Sequence, residues 1–193
     1  MSHSLSGKSS RSIANIALFA ALIAAMGLIP KLDLSFGVPI TLQTLGVMMT
    51  GCLLGAKNGF RAVILFLLIV ALGVPLLAGG RGGLGVFLAP SAGFLIGWPL
   101  GAAVSGWLMQ RLWHLTGWAL VVGAFASAFA GGIAVVYACG VVGLASIAKL
   151  TVGQALWATA AFLPGDLIKC AVCAVAVQTI ARGLPRWRLT DQV

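Results

Sequence analysis

Charge is what this chain has least of. Twelve lysines and arginines and three aspartates make up 8% of its 193 residues, and glutamate is absent altogether. An ordinary globular chain is roughly 25% charged, so these side chains cannot cover a soluble surface. Soluble enzyme, nucleic-acid binder and disordered tail are excluded together. Histidine is nearly missing too, with His3 near the N-terminus and His114 in a connection. Catalysis inside a membrane would need paired carboxylates or a histidine cluster within mutual reach, and Asp166 is the single acid in an apolar run. No catalytic residue is assigned, and no metal ligand.

An intact nucleotide motif is lacking as well. Gly7-Lys8-Ser9 resembles the end of a phosphate loop, but Ser2 stands where its first glycine belongs. Gly80-x-Gly82-x-x-Gly85 spells a dinucleotide fingerprint with no strand before it and no βαβ unit around it. Any energy for active transport must therefore come from another chain or an ion gradient. Cys52, Cys139, Cys170 and Cys173 all lie in apolar stretches, where cysteine behaves as a small hydrophobe. The Cys170-x-x-Cys173 pair has no soluble βαβ context that would make it a redox motif.

What is abundant is apolar length. Hydrophobic residues form 61% of the chain and the mean hydropathy is +1.10. A bilayer-crossing helix takes about 20 mainly apolar residues, and six such segments can be drawn. They run approximately Ile13–Ile29, Pro39–Gly55, Phe60–Leu77, Ser91–Leu112, Trp118–Cys139 and Pro164–Ala181. The first, though flanked by bases like a signal peptide, is long for one and is read as a retained helix. The sequence thus predicts an all-α membrane protein, one integral domain over 1–193 with six transmembrane helices. With the N-terminus inside, eight bases (Lys8, Arg11, Lys57, Arg61, Arg111, Arg182, Arg186, Arg188) face the cytoplasm and three (Lys31, Arg81, Lys149) face out. That bias puts both termini, tails 1–12 and 183–193, in the cytoplasm. Trp113, Trp118 and Trp187 then flank the inner boundary, where indole rings prefer to lie.

The outer connections are apolar: the glycine-rich 78–85, the long Gly140–Leu163, and Lys31–Val38. Irregular backbone at membrane depth survives only when buried in protein or lining a wet cavity, so these segments are expected to lid a cavity that opens outward. Small residues recur at helical spacing. Gly93, Gly97 and Gly101 in the fourth span, and Gly123, Ser127 and Gly131 in the fifth, suit close helix packing inside the bundle. Ala17, Ala21 and Ala25 in the first span fit either internal packing or an outward face for another membrane protein.

Asp166 and Lys169 stand three residues apart at the start of the sixth span, on one helix face. Each charge costs about 2.5–3.5 kcal/mol near a helix centre and less toward an end. Paired at ~4 Å with an effective dielectric of ~20 they recover about 4 kcal/mol. Pairing offsets the cost but gives no reason for the charges to exist, and an intramembrane ionisable residue points to a functional site. Pro164-Gly165 marks a helix start there, and a helix amino end attracts negative charge. The pair suits a polar, anionic ligand that also carries N–H groups. Thr41, Gln43, Thr44 and Arg81 lie on the same outer side, either facing the ligand or bonded to helix ends and loops. Gln154, Thr159, Asn15 and Tyr137 complete the short list of polar side chains, and Phe94, Trp98 and Trp157 are candidate apolar walls.

Four stretches carry a resemblance. They are Val38-Pro39-Ile40-Thr41-Leu42-Gln43-Thr44-Leu45-Gly46, Gly73-Val74-Pro75 through Gly79-Gly80-Arg81-Gly82-Gly83, Pro90-Ser91-Ala92-Gly93-Phe94-Leu95-Ile96-Gly97, and Phe162-Leu163-Pro164-Gly165-Asp166-Leu167-Ile168-Lys169. In combination they resemble BioY, the family of biotin-specific substrate-binding (S) components of energy-coupling factor (ECF) transporters. Ala89 stands where that family commonly has glycine, and Phe94 where it commonly has tyrosine. The resemblance implies an S-component bundle in the bacterial inner membrane that captures biotin from outside with high affinity, as cargo and not as cofactor. It also implies a transmembrane coupling (T) subunit and two cytoplasmic ATPases as partners, met at a small-residue stripe that maps onto Ala17, Ala21 and Ala25. Asp166 and Lys169 carry over as ligand-binding residues, and the glycine loop as the region of Arg81. A solitary biotin carrier without dedicated ATPases is the alternative.

Overall fold

A computed structural model describes residues 3–33 and 38–184 of the backbone, with side chains from Ser12 to Lys31 and from Val38 to Leu184. The side chains of Lys8, Arg11, Asp33, Arg186, Trp187, Arg188 and Asp191, all used in the charge and boundary reading, lie outside the described residues.

The first helix, α1 (His3–Gly27), is alanine-rich and begins well before the predicted Ile13. Pro30, shortly past its end, cannot continue a helix. Phe19, Ala20 and Ile23 are buried, while Ala17, Ala21 and Ala25 are exposed on the other side. Two short strands follow, β1 (Leu32–Asp33) and β2 (Pro39–Ile40), paired antiparallel with Leu32 opposite Ile40. The second predicted span therefore starts later than Pro39.

Helix α2 (Gln43–Ala71) holds most of both the second and the third predicted spans, the third ending earlier than Leu77. It doubles back at Gly55, whose φ of 76° and ψ of 177° no residue with a Cβ adopts readily. A Cβ added at Gly59 would sit 3.2 Å from the Cα of Gly51, a contact that only antiparallel limbs (43–54 and 56–71) can make. Each limb is shorter than the ~20 residues of a full span. A 3₁₀ turn, Leu84–Leu88, then leads into α3 (Ala92–Leu112).

Helix α4 is longer than predicted, running Gly117–Ile147 with a π-helical stretch at Phe129–Val135. The expected outer connection Gly140–Leu163 is thus mostly helical. Its first part belongs to α4, and α5 (Val152–Ala160) follows, closed by a capping box in which Thr151 and Gln154 exchange bonds. The glycine stripe of α3, expected to pack inside the bundle, meets α4 here. A Cβ at Gly93 would strike the Cys139 carbonyl and Gly143, one at Gly97 would lie 3.0 Å from Cys139 Cβ, and one at Gly101 would lie 2.6 Å from the Gly131 carbonyl. Helix α6 (Leu163–Gly183) completes the bundle with Pro164 in its first turn.

Among the described residues α3, α4 and α6 are each long and apolar enough to cross a membrane, and α2 reaches that length only as the sum of its two limbs. The outer faces are apolar too: Leu18, Leu68, Val142 and Val175 are each more than half exposed, as lipid-facing positions require. The chain is a multi-pass, all-helical membrane protein apart from the short β1–β2 pair. Replacing Gly93 by Leu is expected to push α3 off α4 and lower stability, by about 1–3 kcal/mol for an overpacked contact. Thermal unfolding in mild detergent checks this, with Ile96→Leu on the exposed face as the unchanged control.

Candidate ligand cavity

The starts of α2, α3 and α6 meet the second half of α4 at one end of the bundle, beneath the β1–β2 segment and the glycine loop. They enclose a recess of about 550 Å³, counting the space at its mouth that is open to the outside. The loop owes its shape to glycine. Leu77 and Arg81 exchange backbone bonds (3.0 and 3.2 Å), so the intervening turn must be tight, and Gly79 and Gly80 take it with φ of 81° and 69°.

Asp166 and Lys169 face this recess from the first turns of α6, 4% and 8% exposed. Lys169 Nζ donates to Asp166 Oδ1 at 2.7 Å, to the Thr41 carbonyl at 2.6 Å and to Thr44 Oγ1 at 2.9 Å. An ammonium has three donors, so Lys169 is saturated. Tyr137 Oη donates to Asp166 Oδ2 at 2.7 Å. Thr44 Oγ1 stands 3.4 Å from Asp166 Oδ1 and equally far from the Thr41 carbonyl, and its one proton serves either. A carboxylate has about four lone-pair sites, which leaves Asp166 Oδ2 able to accept one more N–H. Desolvation of each ion costs several kcal/mol and the pair recovers a similar amount, so its cost is offset but its purpose is not explained by stability.

Arg81 is bound differently. Its Nε and Nη1 reach the Ala78 carbonyl and Ser91 Oγ, both at a long 3.4 Å. Among the described side chains no carboxylate pairs with it, and it is only half-buried. Gln43 lines the recess but spends its amide elsewhere. Nε2 donates to the Ile23 and Leu76 carbonyls (3.1 and 3.0 Å), and Oε1 accepts from Ala78 N (3.0 Å). Of the two readings open for Gln43, the structure takes the backbone-bonding one: it pins the glycine loop to α1.

The walls are aromatic. Phe94 and Phe162 meet edge-to-face at 5.8 Å and Tyr137 and Phe162 at 6.5 Å, favourable arrangements. Trp98 lies deeper on the same face of α3, and its Nε1 has no partner among the described residues. Trp157 is a correction to the sequence expectation: it is 81% exposed, on the outside of α5, and takes no part in the recess. The capping box fixes α5 so that Ala155 and Thr159 turn inward, which sends Trp157 outward. Gln154 caps and Thr159 bonds Ala155. Tyr137 is the residue the sequence undervalued. It is the chain's single tyrosine, two residues beyond the π-helical stretch that redirects the face α4 presents.

These features define a class: a membrane-embedded helical bundle with a small-molecule recess at one end. A family model described as "BioY family" matches residues 1–186. The chain belongs to the BioY family. It is 48% identical over 180 residues to the Biotin transporter BioY of Rhizobium etli, covering 92% of this chain and 96% of that protein. It is 45% identical over 184 residues to the Biotin transporter BioY of Rhodobacter capsulatus, covering 91% and 95%. It also resembles, with a TM-score of 0.84 and 30% identity, a crystal structure of the S-component for biotin from an ECF-type ABC transporter, covering 91% of this chain and 93% of that one.

Removing Lys169 alone strands a buried carboxylate. Lys169→Met is expected to cost on the order of 3 kcal/mol, and adding Asp166→Asn in the same chain to restore most of it. Thermal melts of the two single variants and the double variant check the coupling.

Proposed function

We propose that this protein is the biotin-binding S component of an ECF-type importer in the bacterial inner membrane. The cavity's unequal hydrogen-bond capacity carries the reading. Lys169 has no donor left to give, Asp166 Oδ2 has room for one N–H, and Arg81 keeps most of its guanidinium unengaged. Biotin offers what these groups lack: ureido N–H groups at one end, a carboxylate at the other, and an apolar thioether ring and chain between. Asp166 accepts a ureido N–H, with Lys169 and Tyr137 holding its carboxylate in place. Arg81, beside Ser91, takes the acid. Phe94, Phe162 and Trp98 line the apolar middle. Thr41 contributes its carbonyl, which holds the Lys169 ammonium, and Gln43 supports the glycine loop.

The small-residue stripe supports the partner reading. Ala17, Ala21 and Ala25 are exposed on α1, away from its buried face, and such stripes let helix backbones approach closely in lipid. A T subunit docking there would couple the bundle to two cytoplasmic ATPases and so supply the energy for inward delivery. Both termini lie on the cytoplasmic side, as the basic residues demand.

Biotin is expected to bind the purified protein tightly, with riboflavin and thiamine not competing. Losing a charge-assisted bond of about 1.5–3 kcal/mol should weaken biotin binding by roughly ten- to hundredfold in Asp166→Ala and in Arg81→Ala. Calorimetry with wild-type affinity in both would refute the site. For α1, Ala21→Trp should abolish uptake into cells yet leave biotin binding unchanged. Uptake that persists would mean that the stripe meets no partner.

A further inference from the structure

A second recess, of about 770 Å³ with the open space at its mouth counted, lies at the opposite end of the bundle. It sits between the α3–α4 connection, the last turns of α6 and the end of the first limb of α2. Its floor is apolar: Cys52, Leu53, Met109, Leu120 and Val177 are each at most 7% exposed. At its mouth stand Trp113, 41% exposed, and Arg182. Gln178 holds Arg182. In the amide orientation that satisfies both its ends, Gln178 O accepts from Arg182 Nε (3.0 Å) and Nη2 (3.1 Å), and its nitrogen donates to the Gly117 carbonyl (3.2 Å). Of the five guanidinium N–H donors, the Nη1–Nη2 edge stays available.

Among the described residues nothing of opposite charge is nearby. The one described acidic side chain, Asp166, is engaged in the other cavity. Lys57 and Arg61, beyond the Gly55 turn, and Arg111 at the end of α3 add exposed positive charge to the same end. The site thus pairs a fixed guanidinium with a narrow apolar cleft and an indole at the mouth. A free anion would gain nothing from the cleft. Even with the open space at the mouth counted, a helix about 10 Å across would exhaust ~770 Å³ in roughly 10 Å of its length, under two turns, whereas an extended hydrocarbon chain is narrow enough to lie along the apolar floor.

We infer that this recess holds one anionic glycerophospholipid, with an acyl chain along the apolar floor and its phosphate on the Nη1–Nη2 edge of Arg182. Basic pockets between helices at the cytoplasmic side are suited to such head groups, and a planar guanidinium takes a phosphate bidentately. The inference does not depend on the ligand of the outer cavity.

The test uses the delipidated full chain in mild detergent, titrated with phosphatidylglycerol or phosphatidylcholine, with bound lipid counted by native mass spectrometry and stability followed by thermal melts. One phosphatidylglycerol should be retained, with roughly five-fold preference over phosphatidylcholine, the scale of one basic residue near an anionic surface. Arg182→Gln should erase that preference without lowering the melting temperature of the lipid-free protein, and Leu53→Trp should reduce retention of both lipids. Equal retention of the two lipids by the wild type, or an Arg182→Gln variant indistinguishable from it, would overturn the inference. So would an equal thermal shift with glycerol 3-phosphate alone, which would make this a free-anion site. A chain truncated after Leu184 that gains lipid binding the full chain lacks would show that the protein's own tail occupies the cleft, and would overturn it equally.

Discussion

An acid and an amine buried in an apolar bundle set the terms for everything around them. Asp166 and Lys169 sit 2.7 Å apart with almost no solvent contact, and removing either would leave an uncompensated ion. The surroundings are built to avoid that. The Thr41 carbonyl, the Thr44 hydroxyl and the Tyr137 hydroxyl each spend their hydrogen-bonding capacity on the pair, so the start of α2 and the middle of α4 are held to the start of α6. A pair satisfied on every side would be inert. This one retains a lone pair toward the cavity, and that small deficit is what a ligand with an N–H can fill.

Holding three helices to one pair requires their backbones to come close, and the small residues make it possible. Gly93, Gly97 and Gly101 of α3 lie against Gly131, Val136, Cys139 and Gly143 of α4, and Gly51 and Gly106 bring the α2 hairpin onto α3. Hydrophobic burial cannot drive such association in lipid, where the tails are as apolar as the side chains, so packing and hydrogen bonds carry it. The same packing brings the aromatic walls together, because Gly140 leaves the space that the Phe94 ring fills.

The two ends of the bundle have opposite chemistry. At one end, Lys169 is held by three acceptors and Arg81 lines the cavity. At the other, Lys57, Arg61, Arg111 and Arg182 are exposed, unmatched by any described carboxylate. Membership in the BioY family accounts for the first end through the proposed capture of biotin. The second end is accounted for by the membrane itself, whose anionic head groups are the available counter-charge.

Much of this was legible before any coordinates. The scarcity of charge dictated a membrane protein, helical periodicity and small-residue spacing dictated a packed helical bundle, and an acid–amine pair at a Pro-Gly helix start marked the site, because each is a property of composition or of residues close in the chain. The remaining features depend on partners far apart in sequence. The segment from Gly140 on read as an outer connection until α3 supplied the surface that Gly140 and Gly143 pack on, and Trp157 read as a wall until the capping box turned α5 around. Tyr137 had no evident role until it met Asp166, 29 residues on. Whether Lys169 had a donor to spare was settled by a carbonyl 128 residues away. Sequence thus fixes which groups must be satisfied, since burial makes that obligatory, while only the tertiary fold decides which neighbour satisfies them and which bond is left open.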